Sequence, residues 1–540
     1  MTQQSTIADL LAAAVHQHEA GELAAAETLY REVLARDPAH PDALHLLGLV
    51  AHAAGDFAAA AARIRRALAL RPDEAVFHYN LANVLRDAGQ LNDAIASYRA
   101  ALALHGVNRV IDADTLLNLG NALAAHGEPD AAANCYRTLL RHAPQHLEAQ
   151  MNLGQVLRAL GDVAGARAAY QAVVALDAGS VTAHLGLGAL CQEAGDFDTA
   201  YRHYQAALQT DPSCAAAWNN LGTWHQERGE HPVAADCYQR ALVLDPQDAE
   251  AHNNLGTLLA DADRTAEAEA CYSAALQIRP EFAEAHKNRG AVLQALGRRE
   301  EALASFREAV RLRPDFSEAA YKLAALSGEQ PPASAPVEYV AALFDSYAGE
   351  YDQHLTSTLQ YRVPQALCAL LAGQVPAGSG LDVLDLGCGT GLSGAALRGL
   401  ARQLTGIDLS PRMLARARER GLYDRLIEGD IVQVLAGQAA SYDLVVAADV
   451  FVYIGDLEVV VASAGQILRP GGWLAFSVES LSEGEYRLQP TGRYAHAPAY
   501  LEALARCHFF ECVAQQAVTL RVEQGRPVAG QLQLWRRMAE

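Results

Sequence analysis

A chain of 540 residues is too long for a single hydrophobic core, so two or more domains are expected. Its formal net charge of -21, with Lys287 and Lys322 as its only lysines, leaves no basic face for a phosphate backbone and disfavours nucleic acid as a partner. The nine cysteines include no C-x-x-C pair, which suits reduced thiols of a cytoplasmic protein; the lack of a basic-then-apolar opening at Met1–Leu11 and of any apolar run of about eighteen residues disfavours secretion and a membrane partner.

From the N-terminus, self-similarity is the first signal. Asn152-Leu153-Gly154, Asn220-Leu221-Gly222 and Asn254-Leu255-Gly256 recur at a spacing of 34 residues or its multiple, the tetratricopeptide period. With each glycine as position 8, the lattice runs through Gly48, Ala82, Gly120, Gly154, Gly188, Gly222, Gly256 and Gly290, with an insertion around His105–Asp112. Position 20 is alanine in every unit, from Ala26 to Ala302, where only a methyl group fits between two closely crossing helices. Position 24 is Tyr30, Tyr98, Tyr136, Tyr170, Tyr204, Tyr238, Tyr272 or Phe306, with Ile64 as the exception; the ring is expected to fill the space under the next unit. Cys135, Cys237 and Cys271 share one position where a small apolar residue is wanted. Pro38, Pro72, Pro144, Pro212, Pro246, Pro280 and Pro314 punctuate the turns.

These positions resemble tetratricopeptide-repeat proteins over residues 7–316, as nine helix pairs, with Ser317–Leu326 as a capping helix. The resemblance implies a superhelix whose concave groove takes a protein or peptide partner. Asn80, Asn118, Asn152, Asn220, Asn254 and Asn288 all occupy position 6; this ladder is similar to that of the repeat arm in O-GlcNAc transferases, where evenly spaced amides bond a peptide backbone. The plainer alternative is that asparagine is simply frequent at this position. Leu46 and Gly186 break the ladder, and nothing after residue 337 has the pattern of a glycosyltransferase.

Ser327–Pro336 is rich in Pro, Ser and Gly without apolar periodicity and reads as a linker. The expected division is 7–328 for the repeats, 329–336 for the linker and 337–540 for a second domain. In that domain strands are expected at 381–386, 403–407, 425–428, 442–448 and 472–478, alternating with helices as in a parallel sheet. A final hairpin, 512–522 and 528–536, turns at Gln524-Gly525-Arg526-Pro527.

The chemistry gathers after the first strand, at Asp385-Leu386-Gly387-Cys388-Gly389-Thr390-Gly391. Glycines let the backbone approach a ligand, and an acid at the strand end suits an ammonium group. Asp408 ends the second strand and is placed to accept two ribose hydroxyls. Gly389-x-Gly391-x-x-Gly394 also matches a dinucleotide fingerprint. Against hydride transfer stand the acid two residues before the first glycine and Ser410-Pro411-Arg412-Met413-Leu414 after the ribose acid. With Asp430 after the third strand, Asp449 after the fourth and Leu468-Arg469-Pro470-Gly471-Gly472 before the fifth, the domain resembles the class I methyltransferases over its whole length. The resemblance implies a Rossmann-like α/β fold, a seven-stranded sheet with an antiparallel C-terminal hairpin, following an all-α repeat superhelix. It also implies S-adenosylmethionine as cofactor, held by Asp385, Gly387, Cys388, Gly389, Gly391, Asp408, Leu409, Met413, Asp430, Ile431 and Asp449.

Leu343-Phe344-Asp345-Ser346-Tyr347-Ala348-x-x-Tyr351-Asp352-x-His354-Leu355, with Tyr361-Arg362-x-Pro364, resembles the opening of bacterial repeat-containing methyltransferases and of the Williams-Beuren-region methyltransferase-like proteins. More distantly it is similar to the ubiquinone- and biotin-pathway O-methyltransferases. In such enzymes an N-terminal helix covers the cofactor, which implies that Tyr347, Tyr351 and Arg362 line or cap the site; the alternative is that the tyrosines only pack the lid. Methyl transfer needs a base only for a poorly nucleophilic acceptor. His496 follows the fifth strand and is the candidate, against a purely structural role for a lone histidine. No histidine has partners at metal-ligand spacing, so no metal is expected. Three functions remain open: a methyltransferase whose arm recruits a protein, a small-molecule O-methyltransferase docked by its arm, and a non-catalytic cofactor-binding scaffold. The methyl acceptor is not legible.

Overall fold

The computed structural model describes residues 6–104, 109–329, 331–349, 351–353, 355, 359–376, 378–436, 440–523 and 525–539. His105–Asn108 of the insertion, His354 of the lid sequence and Gln524 of the last turn lie outside the described residues. The chain divides into two compact units, Met1–Asn254 and Leu255–Glu540, and the division falls within the helix Ala249–Asp261.

The first unit contains seven helix pairs, from Ile7–Glu19 with Leu23–Arg36 to Ala215–Glu227 with His231–Leu244. The steric logic of the lattice is plain in it. The position-20 alanines from Ala26 to Ala234 are fully buried, as a close helix crossing requires. The position-24 ring lies against the position-8 glycine of its own pair, rather than only under the next unit. A Cβ added at Gly120 would meet Tyr136 at 2.5 Å, one at Gly154 would meet Tyr170 at 2.6 Å, and one at Gly188 would meet Tyr204 at 2.3 Å. Tyr170 also reaches forward, to 2.7 Å from a Cβ at Gly186. The phenol oxygens find partners on the first helix, Tyr136 donating to Asn121 Oδ1 at 2.7 Å and Tyr204 to Gln192 Oε1 at 2.9 Å. Tyr136 and Tyr204 are thus each an apolar body with a satisfied polar tip.

Gly188→Ala is accordingly expected to destabilise this unit. Alanine gains about 1 kcal/mol of helix propensity, but the forced displacement of a buried ring costs ~1–3 kcal/mol, near its upper end at this distance. A urea unfolding curve should show a net loss of about 1–2 kcal/mol; an unchanged or raised midpoint would refute the packing account.

The second unit continues with Ala283–Ala295 paired with Arg299–Leu312, then the capping helix Ser317–Ser327, closed by Gly328 at φ +78°. A mixed sheet follows, with strands β1 (Leu381–Leu386), β2 (Ala401–Asp408), β3 (Arg425–Glu428), β4 (Tyr442–Ala447), β5 (Leu468–Ser480), β6 (Tyr486–Leu488), β7 (Tyr494–His496), β8 (Phe510–Glu523) and β9 (Arg526–Arg537). The order is β3-β2-β1-β4-β5-β7-β6, with β9 antiparallel on β5 and β8 on β9. The expected strands and hairpin are present, and β6 and β7 raise the count among the described residues from seven to nine. The helix Val363–Ala372 covers one face through Val363, Leu367 and Leu371. The helices Glu458–Ile467 and Pro498–Cys507 cover the other, around Leu386, Phe476 and Trp535.

Two consequences bear on the site. The strand order reverses between β1 and β4, which are parallel neighbours, so a crevice opens beyond their carboxyl ends, where ligands bind in such sheets. The expected linker is not a free spacer: Ser334 bridges Ile454, Ala335 N–H donates to Tyr453 O at 2.8 Å, and Tyr494 Oη donates to Pro332 O at 2.6 Å.

Candidate active site

The crevice holds a cavity with about 890 Å³ of space free of protein atoms, its open mouth included. Its wall contains Gly387 and Gly389 after β1, Asp408 and Leu409 at the end of β2, Asp430 and Ile431 after β3, and Ala448, Asp449 and Val450 after β4. From the lid side come Val337, Val340, Phe344 and Tyr351, and from the linker Ser334 and Ala335. Eight of the residues expected to hold the cofactor therefore share one wall: Gly387, Gly389, Asp408, Leu409, Asp430, Ile431, Asp449 and Tyr351.

The glycine loop owes its shape to its neighbours. Gly387 and Gly389 have φ +63° and +53°, a left-handed backbone that favours glycine. A Cβ at Gly387 would strike Val450 at 2.6 Å. The loop is tied to β2: Cys388 N–H donates to Ile407 O at 2.9 Å, and Gly389 N–H donates to Asp408 Oδ2 at 2.8 Å. Asp408 Oδ1 accepts from Ser410 N–H at 2.9 Å. Burial pushes the Asp408 carboxyl upward, and the backbone N–H bonds from Ser410, Gly389 and Leu409 oppose that.

Asp385 lies beneath this loop rather than in the wall. It is fully buried, its Oδ2 accepts from Tyr423 Oη at 2.6 Å, and its Oδ1 is buried without a hydrogen-bond partner. Burial drives its carboxyl up to about 7, with Asp408 adding to the rise and Tyr423 opposing it. An unpaired buried oxygen beside a left-handed glycine loop fits a ligand that brings a cation and needs close backbone approach.

The other expected residues are placed differently. Cys388 turns inward: its Sγ lies 2.8 Å from where a Gly406 Cβ would be, and burial, then Asp385 and Asp408, raise the thiol far above its ordinary value. Gly391, at φ +93°, precedes the helix Leu392–Leu397 and leaves room for Arg420 and Tyr423. Met413 is fully buried on the inner face of its helix, Pro411–Arg420. Arg362 is exposed and precedes the helix Val363–Ala372, outside the walls, because that helix packs on the back of the sheet. Tyr347 lines a second cavity instead.

The lid is clasped down by two acids that the sequence reading left without a role. Ser410 Oγ bonds Asp345, whose Oδ1 also accepts from Arg412 N–H at 3.2 Å. Thr390 and Arg420 both bond Asp352.

The second cavity adjoins the first through shared walls. It is lined by Tyr347, Leu355 and Leu359, by Thr491 and Arg493 before β7, and by Arg521, Glu523, Arg526 and Val528 of the final hairpin. Arg521 is 1 % exposed. Its Nη1 donates to Asp449 Oδ1 and Oδ2 at 3.0 and 3.2 Å, its Nε to Glu523 Oε1 at 2.6 Å, and its Nη2 to Glu479. Glu523 also takes Arg493. This network escaped the sequence reading because its members are far apart in the chain; the one local sign was an arginine between Leu520 and Val522 in an apolar strand.

His496 does not reach either cavity. It is fully buried on β7, its Nε2 lies 3.0 Å from both Ile454 O and Gly455 O, and burial lowers its pKa to about 4. The sequence expectation of a base is corrected on this geometry: the ring holds the 454–455 turn.

The asparagine ladder is already engaged within the repeats. Asn118 Nδ2 donates to Tyr79 Oη at 3.0 Å, Asn152 Nδ2 to Asn121 Oδ1 at 2.8 Å and Asn254 Nδ2 to Asn219 Oδ1 at 3.1 Å, while Asn80 Nδ2 lies 2.9 Å from His45 Nε2. Asn118 Oδ1 also accepts from Arg86 at 3.1 Å, and Asn288 is engaged as well. Asn220 is half-buried on the helix Ala215–Glu227. Stitching one pair to the preceding one is therefore a sufficient reason for most of the ladder.

Comparison with known proteins matches both the repeats and the sheet-containing part of the chain. Residues 384–476 match the family described as methyltransferase domain. Residues 11–75 and 73–145 match tetratricopeptide-repeat families, and residues 141–359 match the family described as cilia and flagella-associated protein 70 C-terminal domain. A malonyl-[acyl-carrier protein] O-methyltransferase of Pectobacterium atrosepticum is 36% identical over 160 residues, 28% of this chain and 60% of that protein. A ubiquinone biosynthesis O-methyltransferase of Thiobacillus denitrificans is 30% identical over 148 residues, 24% of this chain and 63% of that protein. The chain thus spans less than two thirds of either relative. A solved SAM-dependent methyltransferase from Methanosarcina mazei is 18% identical with a TM-score of 0.27, covering 30% of this chain and 94% of its own. The chain combines tetratricopeptide repeats with a methyltransferase domain. Among the described residues no helix is long and apolar enough to cross a membrane.

Proposed function

We propose that the chain is a cytoplasmic S-adenosylmethionine-dependent methyltransferase. In this reading residues 7–328 are the arm, 329–336 the connection and 337–540 the methyl-transfer domain, and the arm holds a protein that is the substrate or carries it. The observation that carries the reading is the single wall that joins the glycine loop to the acids after β2, β3 and β4. Asp408 would accept the ribose hydroxyls, Asp430 would stand at the adenine side and the unpaired Asp385 oxygen would take the amino-acid ammonium. When bound, the cofactor supplies a methyl group already activated on a sulfonium. What the chain's residues do is hold the acceptor in line and keep water out.

The second cavity is the natural place for the acceptor, since it adjoins the first through common walls. The relatives named above are both O-methyltransferases, and acceptor oxygen is the atom we favour. A carboxylate acceptor needs no base, in keeping with a site from which His496 is withdrawn. A second reading, a small-molecule O-methyltransferase docked by its arm, rests on the ubiquinone relative. Transfer of labelled methyl from S-adenosylmethionine to a fractionated cell extract decides between them. Label in protein supports the first reading and label in small solutes the second. No label with the full chain, or equal label with Asp408→Ala, would overturn both.

Asp385 adds a pH test. Its folded value of about 7 stands above the ordinary 3.8, so the ligand-free fold keeps its proton where the unfolded chain has lost it. The stability this group contributes is full below about pH 4 and is lost as pH rises through 7. An arriving ammonium reverses the preference and expels the proton. Titration with S-adenosylhomocysteine at pH 6, in buffers of different ionisation enthalpy, should show proton release that vanishes above about pH 8; binding with no linked proton at pH 6 would exclude this pairing.

A further inference from the structure

Four side chains belong to the walls of both cavities: Phe344, Tyr351, Asp449 and Tyr453. If the cofactor lies in one cavity and the acceptor in the other, as proposed above, the methyl group crosses at this junction. Its lining is chemically unusual for an apolar crevice. Phe344 meets Tyr351 edge-on with centroids 5.9 Å apart and Tyr453 at 5.6 Å, so three packed aromatic rings line the junction together with one carboxylate. Rings and a carboxylate together favour positive charge.

The carboxylate is held there at a cost. Asp449 has φ +62°, uncommon for a residue with a side chain and a mark of a conformation imposed by its surroundings. Its N–H donates to Ser477 Oγ at 2.8 Å, and both its oxygens accept from the buried Arg521. Arg521 and Arg493 together do not cancel the charge, because the two serve three acids, Asp449, Glu479 and Glu523. Burial pushes the Glu479 carboxyl upward against the pull of Arg521. Of the acids in this network, Asp449 is the one in the walls of both cavities. Anchored to β8 through Arg521 Nη1, which bonds both its oxygens, the carboxylate has its orientation fixed before any ligand arrives.

We propose that Asp449, positioned by Arg521, reads the positive charge of the sulfonium, so that the site favours the methyl-bearing cofactor over its neutral demethylated product. The inference rests on the methyltransferase reading but asks something different of the protein. Cofactor binding alone requires that both forms bind; charge reading requires that one residue affects them unequally. It also supplies a reason for product to leave: once the methyl has moved, the cation that the junction was built around is gone.

The test is calorimetric titration of the full chain with S-adenosylmethionine and S-adenosylhomocysteine in parallel, for the wild type, Asp449→Asn, Arg521→Met and Arg521→Lys. Asparagine tolerates the left-handed backbone and leaves Arg521 two acid partners, so the fold should stand. Asp449→Asn is expected to weaken S-adenosylmethionine about tenfold while changing S-adenosylhomocysteine less than about twofold. Arg521→Met should shift the ratio the same way and Arg521→Lys should partly restore it, whereas a merely structural role would weaken both ligands alike. If Asp449→Asn does not fold, Glu523→Gln removes a negative charge from the same network and should move the ratio in the same direction. Equal losses for the two ligands, or no change in their ratio in either variant, would overturn the inference. Absence of binding of both ligands to the wild type would instead overturn the methyltransferase reading itself.

Discussion

Asp408→Ala is expected to weaken S-adenosylhomocysteine binding by at least about a hundredfold. Two effects add. A carboxylate that accepts two hydroxyl donors contributes ~1.5–3 kcal/mol per bond, and about 1.4 kcal/mol is a factor of ten in affinity. The same carboxylate also fixes the glycine loop, through Gly389 N–H, and the start of the next helix, through Ser410 N–H. Alanine therefore removes a ligand contact and loosens the loop that cradles the rest of the ligand. The measurement is the rise in unfolding temperature on adding S-adenosylhomocysteine, since a ligand stabilises the fold it binds. The wild type should show it and the variant should lack it while retaining its own cooperative transition. A variant that keeps the full ligand-induced shift would remove Asp408 from the site.

The second large effect is expected far from the glycine loop, at Tyr321 on the capping helix Ser317–Ser327. This tyrosine is 1 % exposed, its ring packs at 5.5 Å from Tyr339 and 6.3 Å from Tyr494, and its hydroxyl donates to Gly492 O at 2.8 Å. Gln294 Nε2 adds a bond to Pro490 O at 2.7 Å. The last repeat helices thus hold the turn that presents Thr491 and Arg493 to the second cavity. Tyr321→Ala should cost about 3–5 kcal/mol by analogy with other buried aromatic truncations. Tyr321→Phe, which keeps the ring, should cost about 1 kcal/mol. Chemical unfolding of the two variants separates packing from hydrogen bonding. A small loss with Tyr321→Ala would mean that the turn is held without the arm.

A corollary concerns dissection of the chain. Tyr321, Ala325, Ala335, Val340, Leu488 and Tyr494 share one buried cluster, against which Leu409 and Tyr453 of the first cavity's wall also pack. A chain beginning at residue 337 would lose part of this core, so one beginning at residue 317 should unfold at the higher temperature. Experiments that remove the whole arm consequently test more than recruitment.

The repeats could be read from the sequence because each lattice position answers a local steric demand. A glycine at position 8 and a ring at position 24 are two halves of one contact, repeated as Gly120 with Tyr136 and Gly222 with Tyr238. The central strands were equally legible, since β1, β2, β4 and β5 are apolar runs bounded by turns. The three-residue strands β6 and β7 were not, because three residues carry no period. The linker's contacts were not legible: proline and serine say that a segment lacks regular structure, not what it touches, and Ser334 bridges Ile454.

The site divides along the same line. Gly387, Gly389, Asp408, Asp430 and Asp449 were legible because sheet topology fixes where strand ends meet, whatever the side chains around them. Cys388 and Met413 lie near these residues in sequence but turn inward, since a residue's place in the sequence does not settle which face of the loop or helix it occupies. Arg521 and Arg493 were hidden because an ionic network has no sequence spacing; residues 449, 479, 493, 521 and 523 meet only after the final hairpin has packed on β5.

The central claim is that the crevice beyond β1 and β4 takes S-adenosylmethionine and not a dinucleotide, although Gly389-x-Gly391-x-x-Gly394 would admit either by pattern. Side-by-side calorimetric titration of the full chain with S-adenosylhomocysteine and with NAD tests it most directly. The account predicts saturable binding of S-adenosylhomocysteine, one molecule per chain, with no competition from NAD; binding of NAD with no heat from S-adenosylhomocysteine would contradict it.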